Sequence, residues 1–226
     1  MEPINNKLNL YSNNTPSTHG LHILLDSLGI DVQYHKVNIW VGEHYSEDYK
    51  KINPNCRVPA IVDNRDGQTI GVFETGAIMQ YLTEKSGKYL PDRISRSKDH
   101  WETIQWLYWF NSSFAPQQTE FGYYHYFAPK DIPDAKERSH NEVVRLYKVL
   151  NDHLATRQFM AANELTIADF GIFTWLIYLK YGFLPSYNDF PNIVRYYESL
   201  EKLPLFKKEV DVVLASNFNN TKPKFV

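Results

Sequence analysis

An α/β domain followed by an all-helical one is the architecture this sequence predicts. Two patterns carry that prediction. Through residue 88 the apolar spacing switches between strand-like and helix-like in the order βαβ–ββα, and from residue 98 onward it keeps to helical steps. The expected division is therefore 1–88 for the mixed domain, 89–97 for a linker and 98–226 for a helical bundle.

Lys7 to Tyr11 alternates polar and apolar residues, as a half-buried strand does. Polar residues Ser12 to Thr15 and then Pro16 break it. From Ser17, Leu21, Leu24, Leu25 and Leu28 recur at three- and four-residue steps and stop at Gly29, which predicts an amphipathic helix with a glycine terminus. Asp31 to Ile39 alternates again and completes a βαβ unit. A short helix is expected over Ser46 to Ile52. Strands follow at Val58 to Asp63 and Thr69 to Phe73, joined by the turn Asn64-Arg65-Asp66-Gly67. Thr75 to Ser86 returns to helical spacing, and Gly87 to Asp92 opens the linker. Further helices are expected near Ser97–Phe127, Asp134–Ala155, Ile167–Tyr181, Pro191–Leu200 and Pro204–Ala215, with a loosely ordered tail from Asn217.

Composition narrows the function. The 226 residues carry 24 Lys and Arg against 26 Asp and Glu, with the basic residues scattered, so neither a nucleic-acid groove nor an anionic-membrane surface is expected. The longest apolar run, Phe170 to Leu179, is half of a bilayer span. The N-terminus lacks a signal-peptide pattern. Its one cysteine, Cys56, excludes an internal disulfide, and no four-ligand zinc set is visible. A soluble, cytoplasmic protein without a bound metal is expected.

Two stretches carry candidate chemistry. In Arg57-Val58-Pro59-Ala60-Ile61, proline at a strand entrance removes a ladder donor. The Val58 peptide then either pairs with a ligand's backbone or belongs to a plain edge strand. In Phe73-Glu74-Thr75-Gly76, a strand gives way to a helix whose free amides favour a carboxylate, while Glu74 suits an ammonium group. Carboxylate and ammonium side by side make an amino-acid head group. Read alone, the same pair is a helix cap beside a surface Glu.

Together, in this element order, these motifs resemble the glutathione transferase superfamily, whose N-terminal domain is thioredoxin-like. Leu165-Thr166-Ile167-Ala168-Asp169-Phe170 resembles that superfamily's structural helix start, with Thr166 as N-cap and Asp169 closing a capping box. Val41-Gly42-Glu43-His44, Asn53 to Ala60, Gln105 to Trp109, Ala115-Pro116 and Ile132 to Arg138 are similar to the branch that holds the nu-class enzymes and a yeast nitrogen regulator. The resemblance implies that glutathione or glutathione disulfide binds as co-substrate, without a metal, for disulfide reduction, organic hydroperoxide reduction or transfer to a small electrophile. It implies a homodimer. It assigns Val58, Pro59, Glu74 and Thr75 to glutathione binding, His44 and Arg57 to the glycine carboxylate, and Arg138 to a further contact. Thr15-Pro16 matches the pair whose threonine faces the sulfur, with Ser17 where the family usually has Asn, so Thr15 and Ser17 are the catalytic candidates. A non-catalytic regulatory or protein-interaction module is the alternative.

Two further features are expected to be inert. Cys56 has no second cysteine with which to form a dithiol and reads as a passive, partly buried thiol. His19 and His22 lie three apart with no carboxylate at ligand spacing, and read as helix surface. The aromatic run from Trp101 to Phe127 exceeds one helix face, so part is core and part faces the other domain, an electrophile pocket or a second subunit.

Overall fold

The computed structural model describes residues 6–181 and 187–215. Strands β1 (Leu8–Ser12), β2 (Val32–Lys36), β3 (Ala60–Asp63) and β4 (Ile70–Phe73) form one sheet in the order β2-β1-β3-β4. β1 and β2 run parallel because helix α1 (Pro16–Leu28) crosses between them, and the other two pairings are antiparallel. Gly29 ends α1 at φ 67°, in the left-handed region that favours glycine.

β2 stops earlier than the alternation predicts. The Asn38 side chain accepts from Trp40 N–H at 3.2 Å and turns residues Ile39–Val41 into a 3-10 turn. Helix α2 (Glu47–Lys50) is capped by Ser46, and α3 (Thr75–Ser86) coincides with the expected helix.

The second half is helical: α4 (Ser97–Trp109), α5 (Ala115–Gly122), α6 (Pro133–His153), α7 (Ile167–Lys180), α8 (Pro191–Glu201) and α9 (Pro204–Ala215). The single helix expected over 97–127 is one rod widened by π-helical turns at Phe110–Phe114 and Tyr123–Phe127. The tail expected from Asn217 lies outside the described residues. No helix among those described is long and apolar enough to cross a membrane.

α7 is the buried axis, with every residue from Ile167 to Leu179 shielded. Its start is the capping box that the sequence predicts, and more. Asp169, fully buried, accepts from the backbone N–H groups of Thr166 and Met160, both at 2.8 Å, and from the hydroxyls of Thr166 at 3.0 Å and Tyr196 at 2.8 Å. Burial pushes its carboxyl up to about 6 despite those donors.

α1 packs on α7 as well as on the sheet's side. A Cβ on Gly20 would stand 2.6 Å from the Phe170 carbonyl oxygen, so only glycine permits this approach. Thr174 Oγ1 donates to Pro16 O at 3.0 Å across the same contact. The expectation that His19 and His22 are helix surface is therefore wrong. The helix is covered on two sides, His19 is fully buried and His22 partly, and both meet Glu209 of α9. Glu209 is the carboxylate that no local spacing reveals.

Replacing Asp169 with Ala leaves several buried donors unpaired, each costing about 1–3 kcal/mol. The expected loss is about 3–5 kcal/mol, roughly 10 °C in Tm for a chain of this size. Calorimetry that shows a drop below about 2 °C would contradict this role.

Candidate active site

Three chain segments meet at one end of the sheet. Tyr11 pairs with Ala60 and Ala60 with Phe73, so the loop after β1, the entry to β3 and the exit from β4 lie side by side. Each brings one kind of group.

The entry to β3 is held rigidly from behind. Arg57 O accepts from Tyr49 OH and from Asn53 Nδ2, each at 2.7 Å, and Asn53 Oδ1 accepts from Asn55 N–H at 2.9 Å. Tyr49 is buried, which pushes its hydroxyl up to about 12 and keeps it a neutral donor. The Val58–Pro59 bond is cis. Among the described residues, neither the N–H nor the C=O of Val58 has a hydrogen-bond partner. Pro59 is buried and Val58 half-exposed, so that peptide offers one donor and one acceptor at the surface.

The exit from β4 supplies charge and a helix start. Glu74 is exposed at φ 71°, a conformation unusual for a side-chain-bearing residue, which costs of order 1–3 kcal/mol and concentrates at functional sites. One carboxylate oxygen accepts from Asn55 Nδ2 at 3.2 Å. The first bond of α3 is Ile78 N–H to Glu74 O at 2.9 Å, so the amides of Thr75, Gly76 and Ala77 have no helical partner. A Cβ on Gly76 would fall 2.4 Å from Asn111 Nδ2, so the second domain closes on this helix start.

The loop after β1 carries the hydroxyls. Asn13 Nδ2 donates to Val37 O and Asn13 Oδ1 accepts from Asn14 N–H, both at 2.7 Å, which braces the turn. Thr15 caps α1 by position, and its hydroxyl lies 2.9 Å from that of buried Thr18. When Thr18 donates, the Thr15 proton is free to point outward. Thr75 Oγ1 donates to Ser17 O at 3.4 Å, so the starts of α1 and α3 adjoin and their positive dipole ends reinforce each other.

His44 sits on a 3-10 turn, Glu43–Tyr45, with its ring buried 3.9 Å from that of Tyr45. Burial first, and then the charge of nearby Arg57, hold its pKa below the ordinary histidine value. Arg57 itself is exposed. Arg138 lies on the exposed face of α6, and no hydrogen bond or ion pair among the described residues ties it to this end of the sheet. Cys56 is half-buried at φ 53°, its thiol 3.8 Å from Pro54 O. The Tyr11 ring stacks on His35 at 4.5 Å.

Asn13, Asn53, Asn55 and Asn111 support the site yet carry no signal of their own in the sequence. Only the turn-forming Asn53-Pro54-Asn55 hinted at one.

The arrangement can hold an extended peptide with an amino-acid head group at Glu74 and α3, a backbone at Val58, a carboxylate near His44 and Arg57, and an anion near Thr15. An NMR titration tests the neighbourhood of His44. Its imidazole is expected to stay neutral at pH 7, and Arg57→Gln to raise its midpoint by removing a repelling charge. An unchanged midpoint in the variant would separate the two residues.

Comparison with known proteins bears on the same segments. Residues 6–84 match the family model described as Glutathione S-transferase, N-terminal domain, and residues 133–199 match Glutathione S-transferase, C-terminal domain. A glutathione S-transferase domain-containing protein of Dictyostelium discoideum is 34% identical over 97% of this chain and 87% of its own. The disulfide-bond oxidoreductase YfcG of Escherichia coli is 32% identical over 75% of this chain and 79% of its own. Among solved structures, a glutathione transferase from Pseudomonas putida with one glutathione disulfide bound per subunit superposes with a TM-score of 0.84, at 32% identity over 92% of both chains.

Proposed function

The chain belongs to the glutathione S-transferase family, and we propose that it binds glutathione across this end of the sheet and uses the tripeptide's thiol to reduce disulfides. The observation that carries the reading is the unpaired Val58 peptide beside Glu74 and the open start of α3. A γ-glutamyl head group presents a carboxylate to the α3 amides and Thr75, an ammonium to Glu74, and a cysteinyl backbone to Val58. Its glycine carboxylate then falls toward His44 and Arg57.

The chemistry follows from what the chain lacks as well as what it holds. With one cysteine, no protein dithiol forms. The nucleophile is then the thiolate of bound glutathione. It attacks one sulfur of a disulfide, a new S–S bond forms, and the other sulfur leaves as a thiolate that takes up a proton. A second glutathione thiolate attacks the glutathione sulfur of the mixed disulfide, which forms glutathione disulfide and expels the remaining substrate sulfur as a thiolate that takes up a proton. Thr15 donates a hydrogen bond to the sulfur, with Ser17 and the adjoining helix starts adding positive potential, so the thiolate forms nearer neutral pH.

Organic hydroperoxides and small electrophiles are further acceptors within this reading, which takes the chain as a nu-class member acting in the reducing cytoplasm. We also infer that two copies pair as a homodimer. The exposure of Trp40, Trp101 and Tyr108 supports a surface that a second copy covers.

Binding and turnover separate cleanly. Glu74→Ala is expected to weaken glutathione by about 1–3 kcal/mol, roughly 5- to 150-fold in Kd by calorimetry, because the ammonium loses its partner. Thr15→Val is expected to leave Kd nearly intact and to lower kcat with hydroxyethyl disulfide about ten- to a hundredfold. Cys56→Ser keeps most activity. Unchanged affinity in Glu74→Ala would displace the head group, and a folded but inactive Cys56→Ser would overturn the cysteine-free route.

A further inference from the structure

His19, His22 and Glu209 lie outside the glutathione site, and no part of the proposed mechanism uses them. We propose that they form a divalent-cation site of the kind that accepts zinc, bridging α1 and α9 at the junction of the two halves of the chain. The two imidazoles sit three residues apart on one face of α1, and Glu209 comes from a helix some 190 residues later. His19 Nδ1 is 2.5 Å and His22 Nδ1 3.0 Å from the same Glu209 oxygen. One ligand atom from each residue fits within a 4.8 Å span.

That spacing is close to what zinc asks for. With Zn–N and Zn–O bonds of about 2.0–2.1 Å, the edges of a tetrahedron are about 3.3 Å. Admitting the ion therefore takes a retreat of the carboxylate by less than an ångström and, for the widest ligand pair, a closing of up to about 1.5 Å. Two His and one Glu are a ligand set that zinc uses with its fourth position open. His22 is 23% exposed and provides the way in, whereas His19 and Glu209 are shielded. Asp26 and Lys208 pair at the rim at 2.5 Å, and the Tyr34 ring stands 5.6 Å from that of His22.

Burial supports the assignment. The cluster presents a shielded carboxylate flanked by two imidazole nitrogens, a donor set that suits a dication.

The surroundings also set the strength. Ligating imidazoles usually donate their other ring N–H to an acceptor, and losing that support costs 10- to 100-fold in affinity. Neither His19 Nε2 nor His22 Nε2 has a partner among the described residues. A reversible site is expected, with a Kd of order micromolar, weaker than a structural zinc centre. Occupied, it ties α1, whose start carries Thr15 and Ser17, to the last described helix.

Chelator-treated full-length protein titrated with Co2+ and then Zn2+ tests this. Expected are one equivalent bound, visible Co2+ absorption of the tetrahedral type that Zn2+ bleaches, and at least a tenfold weaker Kd in His22→Gln. Imidazole resonances of His19 and His22 should move on Zn2+ addition in the unmodified chain, which reads the site without any variant. No saturable binding, or one equivalent that survives His22→Gln and leaves those resonances in place, would overturn the proposal.

Discussion

Gly20 sits where α1 crosses the first turn of α7, with room for a hydrogen and nothing larger before the Phe170 carbonyl. The placement of the hydroxyl end of the proposed glutathione site depends on that contact. It lets α1 sink against α7, brings Pro16 O within reach of Thr174, and so sets how far the Thr15 loop projects beyond β1. The sheet alone would fix Val58 and Glu74, which adjoin the paired ends of β3 and β4. It would leave the hydroxyl end of the site to a helix free to shift.

α7 can serve as that anchor because its own start is over-determined. Asp169 ties the helix start to Met160 before it and Tyr196 of α8 beside it, and a buried network with all its partners present is stiff. The apolar core continues without a break from the sheet side through α7 to α8 and α9. Mechanical support for the proposed site thus comes from a motif outside it. Gly76 against Asn111 repeats the device at α3, where a missing side chain again lets the second domain approach the head-group end.

Legibility in the sequence followed the range of the interaction. The capping box at Thr166 and Asp169, the glycine stop at Gly29, the proline at the mouth of β3 and the Glu74-Thr75 junction are written within a few neighbouring residues, and the structure has each where the sequence put it. The alternation runs on to Ile39 and so predicts a longer β2, but the Asn38 turn outweighs it and the strand ends at Lys36. His19 and His22 depart from the surface expectation for the opposite reason. Their surroundings are supplied by α7 and α9, and a leucine stripe on one face of α1 does not say that its other face is also covered. The asparagines that brace the site stayed hidden because a polar residue in a turn looks the same whether or not it holds a functional loop.

Steady-state kinetics of Gly20→Ala with glutathione and hydroxyethyl disulfide, paired with glutathione calorimetry on the same folded protein, test the claim that the α1–α7 contact positions the sulfur end. The added methyl must push the helices apart by most of an ångström, and a misplacement of that size is worth up to about a hundredfold in rate. The account predicts kcat lower by about tenfold or more, with Kd for glutathione changed by less than about threefold, because Val58 and Glu74 are held by the sheet. A folded Gly20→Ala protein with unaltered kcat would contradict it.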